Sequence, residues 1–195
     1  MAFVAITGSI GCGKTTISNI LRDMGFLVYD VDAWCRELYF KNDFLETIRG
    51  VFPEVFDGDV FNKRALRNIV FSDVNKLKIL ENLIHPYLTK RLLDSVSDYN
   101  GSDIVFTDVA LLYEMGWNQY FDKVILADVD YETQKSRVMK RDGISGEDFD
   151  KINNIQMKRD EKIKKVDFVI NTGCNEEELI KKIKELIKDI KNASN

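Results

Sequence analysis

The sequence predicts an α/β fold, with βα units arranged around a five-stranded parallel sheet, and two observations lead there. Five short apolar runs bounded by Asp, Gly or Asn alternate with longer stretches of helical period. A glycine-rich turn joins the first run to the first helical stretch, giving a strand–loop–helix start. The strands are read at Phe3 to Thr7, Phe26 to Asp30, Ile104 to Asp108, Lys123 to Asp128 and Phe168 to Asn171. Helices follow from Thr15 to Met24, stopped by Gly25, from Thr133 to about Arg141, stopped by Gly143, and from Glu176 to about Asn192. In the last of these Asn175 is the expected N-cap and three glutamates occupy the positive end. Leu179, Ile183, Leu186 and Ile190 form its apolar stripe, with lysines on the opposite, solvated face.

Between the second and third strands, roughly Asp32 to Tyr99, the chain reads as several helices: Asp43 to Val51, Lys63 to Phe71, Val74 to Ile84, and a further one opening at Pro86. This is too long for a simple crossover and is expected to form an inserted helical region. From Asp142 to Lys165, a capping-box pattern at Ser145 to Asp148 opens a polar helix with few core residues, expected to move as a lid. The expected organisation is a core of residues 1–31, 101–134 and 166–195, a helical acceptor-binding region of 32–100, and a lid region of 135–165.

Composition narrows the classes. Of 195 residues, 45% are hydrophobic and 31% charged, with 2 Pro, which is globular usage. Lys+Arg 28 against Asp+Glu 32 leaves −4, so the excess of positive charge that a nucleic acid or an anionic membrane selects is missing. The 3 cysteines, Cys12, Cys35 and Cys174, lack metal-ligand spacing with the single His85, and with no leader-like start the expectation is a reduced, cytoplasmic protein with no membrane contact and no obligate protein partner.

The chemistry lies in Gly8-Ser-Ile-Gly-Cys-Gly-Lys-Thr15, which satisfies GxxxxGK[ST] after a strand and before a helix. Gly11, Cys12, Gly13, Lys14, Thr15 and Thr16 would cradle phosphate oxygens at a helix N-terminus, with Lys14 reaching the β and γ phosphates of ATP and the Thr15 hydroxyl ligating Mg²⁺. The other strand ends are also polar. Asp108 stands where a Walker B carboxylate would hold Mg²⁺, directly or through water. Asp128 and Asp130 are expected to cap the following helix. Asp30 and Asp32, two apart, would share a face if the chain stays extended, and one of them could accept a proton from a substrate hydroxyl. Arg137 and Arg141, four apart, share a helical face on which they would stabilise transferring charge.

Three classes compete for this pattern. A switch GTPase would carry NKxD, but Asn62-Lys63 and Asn75-Lys76 are followed by Arg-Ala and Leu-Lys. A motor ATPase would have an acidic residue after Asp108, where Val109 stands. A small-molecule kinase fits the insertion and the basic lid, since closure over two ligands keeps water from the transferring phosphoryl group. A nucleotide-dependent switch or assembly protein is the alternative from another class.

A longer set of motifs occurs in order: the loop Thr7 to Thr16; Asp30-Val31-Asp32; Arg64 with Leu66 and Val70-Phe71; Leu83-Ile84-His85-Pro86; Asp108 with Leu111-Leu112 and Glu114; Arg137 to Gly143; Gln156; and Asp167 through Ile170-Asn171 to Gly173. Together these closely resemble dephospho-CoA kinase across nearly the whole chain. The resemblance implies a three-layer α/β/α P-loop kinase fold with core, CoA-binding helical region and lid, transferring the γ-phosphate of ATP to the ribose 3′-hydroxyl of dephospho-CoA, the last step of coenzyme A synthesis. It implies that Lys14 and Thr15 serve ATP and Mg²⁺, Asp32 orients or deprotonates the 3′-hydroxyl, and Arg141 acts from the lid. Arg64 and His85 would help form the acceptor site, His85 having an N-terminal helix cap or packing beside Pro86 as its structural alternative, and Asn171 and Gly173 would lie by the adenine. Ser9, Cys12 and Ala110 depart from the family's usual glycine, serine and proline. Cys12, near a helix N-terminus, is expected to have a lowered pKa and to be open to ATP-protectable alkylation.

Overall fold

A computed structural model of the chain describes residues 2–97 and 104–193, the Phe71 side chain excepted, so the expected boundary at residues 100–101 and the side chain of Phe71 lie outside the described residues. The chain divides into two compact units, Met1–Asp30 with Gly101–Asn195, and Val31–Asn100.

The first unit is built on a parallel sheet of strands β1 (Ala2–Thr7), β2 (Leu27–Asp30), β5 (Ile104–Asp108), β6 (Lys123–Asp128) and β7 (Phe168–Asn171), in the order β2-β5-β1-β6-β7. Every residue of β1 is buried, which is why it reads as a continuous apolar run rather than an alternating one. The register pairs Ile6 with Asp108, Asp30 with Asp108, and Asp128 with Asn171, so the polar strand ends line up along one edge. Helices α1 (Lys14–Asp23), α6 (Tyr131–Asp142), α7 (Gly146–Ile155), α8 (Arg159–Ile163) and α9 (Glu176–Ala193) complete the unit. The hydrophobic core joins Val4, Ile6, Phe106 and Ile125 of the sheet to Ile17 and Leu21 of α1 and to Leu179, Ile183, Leu186 and Ile190 of α9. Asn175 caps α9 as expected, accepting the Glu178 amide at 2.9 Å. Ser145 likewise caps α7, its hydroxyl accepting the Asp148 amide at 3.1 Å and donating to the Asp148 carboxylate at 2.9 Å.

The second unit contains α2 (Val31–Leu38), α3 (Asn42–Val51), α4 (Lys63–Ser72), α5 (Val74–Ser97) and a two-stranded hairpin of β3 (Phe56–Asp57) and β4 (Val60–Phe61). Two expectations are corrected here. The chain does not remain extended after Asp30: it turns at once into α2, whose Val31, Trp34 and Leu38 are buried at helical spacing, so Asp30 and Asp32 do not share a strand face. Nor does a new helix begin at Pro86. Helix α5 runs through it, because Leu80, Ile84, Leu88 and Leu92 form one buried stripe across the proline, and its packing outweighs the roughly 3 kcal/mol that an internal proline costs. A cluster of rings on Tyr39, Phe44, Phe61 and Tyr87 links α2, α3, the hairpin and α5.

Candidate active site

The glycine-rich loop leaves β1 and enters α1 with Gly11 at φ 77° and Gly13 at φ 89°, conformations that side chains disfavour. Space is equally restrictive. A Cβ on Gly11 would lie 2.6 Å from Val138 Cγ2 and 2.8 Å from the Gln134 carbonyl, so the loop is seated directly against α6. Lys14 folds over the loop, its ammonium donating to the Gly8 carbonyl at 2.8 Å and reaching that of Ser9 at 3.5 Å.

Gly11, Gly13, Lys14, Thr15, Thr16, Arg137 and Arg141 line one cavity of about 530 Å³ at the carboxyl edge of the sheet. The far wall is made by Thr172, Cys174, Glu176 and Leu179. Arg137 is held on that wall by two bonds, Nη1 to the Thr172 hydroxyl at 3.1 Å and Nη2 to its carbonyl at 2.9 Å. The Thr172 hydroxyl in turn donates to the Cys12 carbonyl at 2.7 Å, which fastens the loop after β7 to the phosphate loop. Arg141 grips its own neighbour, Asp142, through two 2.7 Å bonds while still lining the cavity.

The other expected residues fall into place around this. Asp108 accepts the buried Ser18 hydroxyl at 2.9 Å, and its register partner is Asp30, so the paired strand-end carboxylates are Asp30 and Asp108 rather than Asp30 and Asp32. Asn171 accepts the Gly173 amide at 2.7 Å, a local turn that shapes the loop carrying Thr172. In the helical unit, Asp32 is exposed in the first turn of α2 and Arg64 is exposed in the first turn of α4. His85 sits mid-helix in α5, which removes its alternative role as a helix cap. It lines an open groove of about 580 Å³ with Asn82, Pro86 and Thr89, and burial pushes its pKa below the ordinary 6.5 against the opposing pull of Glu81.

Residues 2–178 match the dephospho-CoA kinase family model. The chain belongs to the dephospho-CoA kinase family. A dephospho-CoA kinase of Fusobacterium nucleatum is 35% identical over 193 residues, covering 96% of this chain and 97% of the relative. Among solved structures, a Thermus thermophilus protein superposes with a TM-score of 0.84 at 32% identity, covering 96% of this chain and 97% of that one. A shikimate kinase from Bacteroides thetaiotaomicron, with a TM-score of 0.59 at 16% identity over 96% and 98% of the two chains, shares the fold. Membership of the dephospho-CoA kinase family makes this chain an ATP-dependent phosphotransferase of coenzyme A synthesis.

Against that identity two expectations need correction. Cys12 is not an activated thiol: it is 1% exposed and packed in the core, and burial raises its pKa more than the nearby Lys14 lowers it. An alkylating reagent is therefore not expected to reach it in the folded kinase. Asp128 does not cap the helix after β6. Asp130 does so, accepting the Thr133 amide at 2.9 Å, whereas Asp128 is buried in a two-bond pair with Arg159 at 2.7 Å. Thr172, Ser18 and Arg159 carry no motif, and nothing local in the sequence marks them.

Proposed function

We propose that this kinase transfers the γ-phosphoryl group of ATP to the ribose 3′-hydroxyl of dephospho-CoA at the carboxyl edge of its sheet, in the cytoplasm. The supporting observation is the joint lining of one cavity by Lys14, Arg137 and Arg141, three cations around a loop whose glycines admit phosphate oxygens. Lys14 holds the β and γ oxygens, Thr15 and Thr16 border the same oxygens from the first turn of α1, and Arg137, braced on Thr172, faces the triphosphate. The Asn171–Gly173 turn borders the adenine. Arg141 leaves Asp142 for the transferring phosphoryl group as the lid, residues 135–165, closes.

Asp32 accepts the proton of the 3′-hydroxyl as its oxygen bonds to the γ-phosphorus and the bond to the β–γ bridging oxygen breaks, so that ADP leaves with the electron pair. Arg64 and His85 contact the acceptor in the helical region, residues 32–100. Mg²⁺ suits the residues present. Asp30 and Asp108 stand in register at adjacent strand ends, and Asp108 is tied to α1 through Ser18, hard oxygen ligands of the kind Mg²⁺ takes while it shares its shell with substrate phosphates and water. Thr15 and Asp108 would hold the ion, whose role when bound is to neutralise charge on the β and γ oxygens. The cytoplasmic placement rests on three free thiols. Among the described residues no helix is long and apolar enough to cross a membrane.

The test is an assay of the purified chain with Mg²⁺-ATP and a panel of acceptors: dephospho-CoA, nucleosides and shikimate. ADP release accompanied by coenzyme A, identified by mass, is expected with dephospho-CoA alone. ATP binding with no phosphorylation of dephospho-CoA would reject the proposal.

A further inference from the structure

Lys162, in α8, is the one lysine among the described residues that is fully buried, with 0% of its surface exposed. Its ammonium has no hydrogen-bond acceptor. The carboxylate facing it, Glu114 Oε1, is 3.6 Å away, and that same oxygen already accepts the Met157 amide at 2.7 Å. Among the other charges it feels is that of Lys14, on the phosphate loop. Gln156, at the start of the same segment, fastens that segment to the loop by accepting the Ile10 amide at 2.9 Å. Burial lowers the Lys162 pKa, with Glu114 opposing and Lys14 adding to the fall. For stability alone this is a poor arrangement: an ammonium facing one carboxylate at 3.6 Å, with no hydrogen bond made, is costly to bury, and a methionine would fill the space without that cost.

We propose that Lys162 is a positioning residue for phosphate transfer, a buried cation held behind the phosphate loop by Glu114, where its charge raises the loop's affinity for the triphosphate. It acts through the loop and Lys14 rather than by touching ATP, since it lies off the cavity wall. The dry surroundings that make the charge expensive also let its field reach the loop unscreened. The inference rests on reading the loop as the triphosphate site.

The test compares Lys162→Met and the double variant Lys162→Met/Glu114→Gln with the unaltered kinase, titrating ATP, ADP and adenosine by calorimetry and recording melting curves. Lys162→Met leaves Glu114 without its cation and is expected to lower the melting temperature. The double variant removes that stranded carboxylate and regains stability. Lys162→Met, which also strands the Glu114 charge, is expected to bind ATP on the order of tenfold more weakly, and the double variant to keep part of that loss; in both, ADP is affected less and adenosine not at all, because the loss scales with ligand charge. A stable double variant that binds ATP as the unaltered kinase does, or weakens equally toward all three ligands, overturns the proposal. An unaltered kinase that binds ATP no more tightly than adenosine would instead overturn the reading of the loop.

Discussion

The sheet unit and the helical unit present their expected functional residues in opposite ways. In the sheet unit the polar residues are fixed by backbone pairing, Asp30 against Asp108 and Asp128 against Asn171, and Asp108 is held further by the buried Ser18 and Asp128 by Arg159. In the helical unit Asp32 and Arg64 are exposed on first helical turns. Helix electrostatics sharpen the contrast. Helix α9 places Glu176, Glu177 and Glu178 at its positive end, whereas α4 has no acidic residue in its first turn and places Lys63 and Arg64 there instead. The first pattern serves stability. The second works against it, in keeping with the acceptor contact proposed for Arg64.

The contrast is most open to challenge at the two arginines of α6. Arg141→Ala is expected to lower kcat on the order of 10³-fold, as loss of an arginine acting on the transferring phosphoryl group does, with little change in ATP affinity. Arg137→Ala, which removes the brace on Thr172, should instead weaken ATP binding about 10- to 100-fold. Steady-state kinetics of both variants would show it, and equal effects on the same parameter would erase the distinction. Asp32→Asn comes next, with kcat falling about 10²-fold or more if Asp32 is the proposed base, and no change in melting temperature, because an exposed carboxylate contributes little to packing.

Arg64→Glu tests the helix-end argument directly. Chemical denaturation should show a gain of about 0.3–1 kcal/mol while KM for dephospho-CoA rises and KM for ATP stays put. A variant that is destabilised, or that keeps its acceptor KM, would remove α4 from the comparison. The smallest effect belongs to His85. Its folded pKa lies below the ordinary 6.5, so the folded state favours the neutral ring, and the stability this gives is present above pH 6.5 and lost as pH falls below it toward the folded value. Melting temperatures of the kinase and of His85→Gln, followed from pH 7.5 down to about 5, should converge on acidification. Parallel curves would show that the ring is not linked to folding.

The strands were legible because a parallel strand buried on both faces writes itself as an apolar run, and the limits read for β1 and β2 differ from those observed by a single residue. The phosphate loop was legible because its glycines obey a spacing. Helix α2 was hidden since its stripe, Val31, Trp34 and Leu38, opens directly after Asp30, with no turn residue to mark where β2 ends and the helix begins. The hairpin at Phe56–Asp57 and Val60–Phe61 is too short to carry a period. In the site, the residues that escaped notice act across long separations: Thr172 on Cys12, Arg159 on Asp128, Ser18 on Asp108. A capping role for Asp128 was a reasonable local expectation, and a distant arginine overrode it. Cys12 was misjudged for the same reason, since the helix terminus is local and the burial that dominates the thiol is not.

The sheet order has a consequence for how the chain is made. Strand β1 is central, between β5 and β6, yet it precedes both in the chain, and its partner for Ala2 is Ile104. At ordinary ribosomal speed the six residues of β1 wait roughly 5–20 s before that partner exists. During that time a strand apolar in all but its last residue has no neighbour on either edge. The residues from Val31 to Asn100 emerge in the interval and are mostly helical, able to form by local contacts while β1 stays unpaired. A nascent chain stalled before β5 would thus hold a helical unit and a bare strand, the species on which holding chaperones would be expected to act.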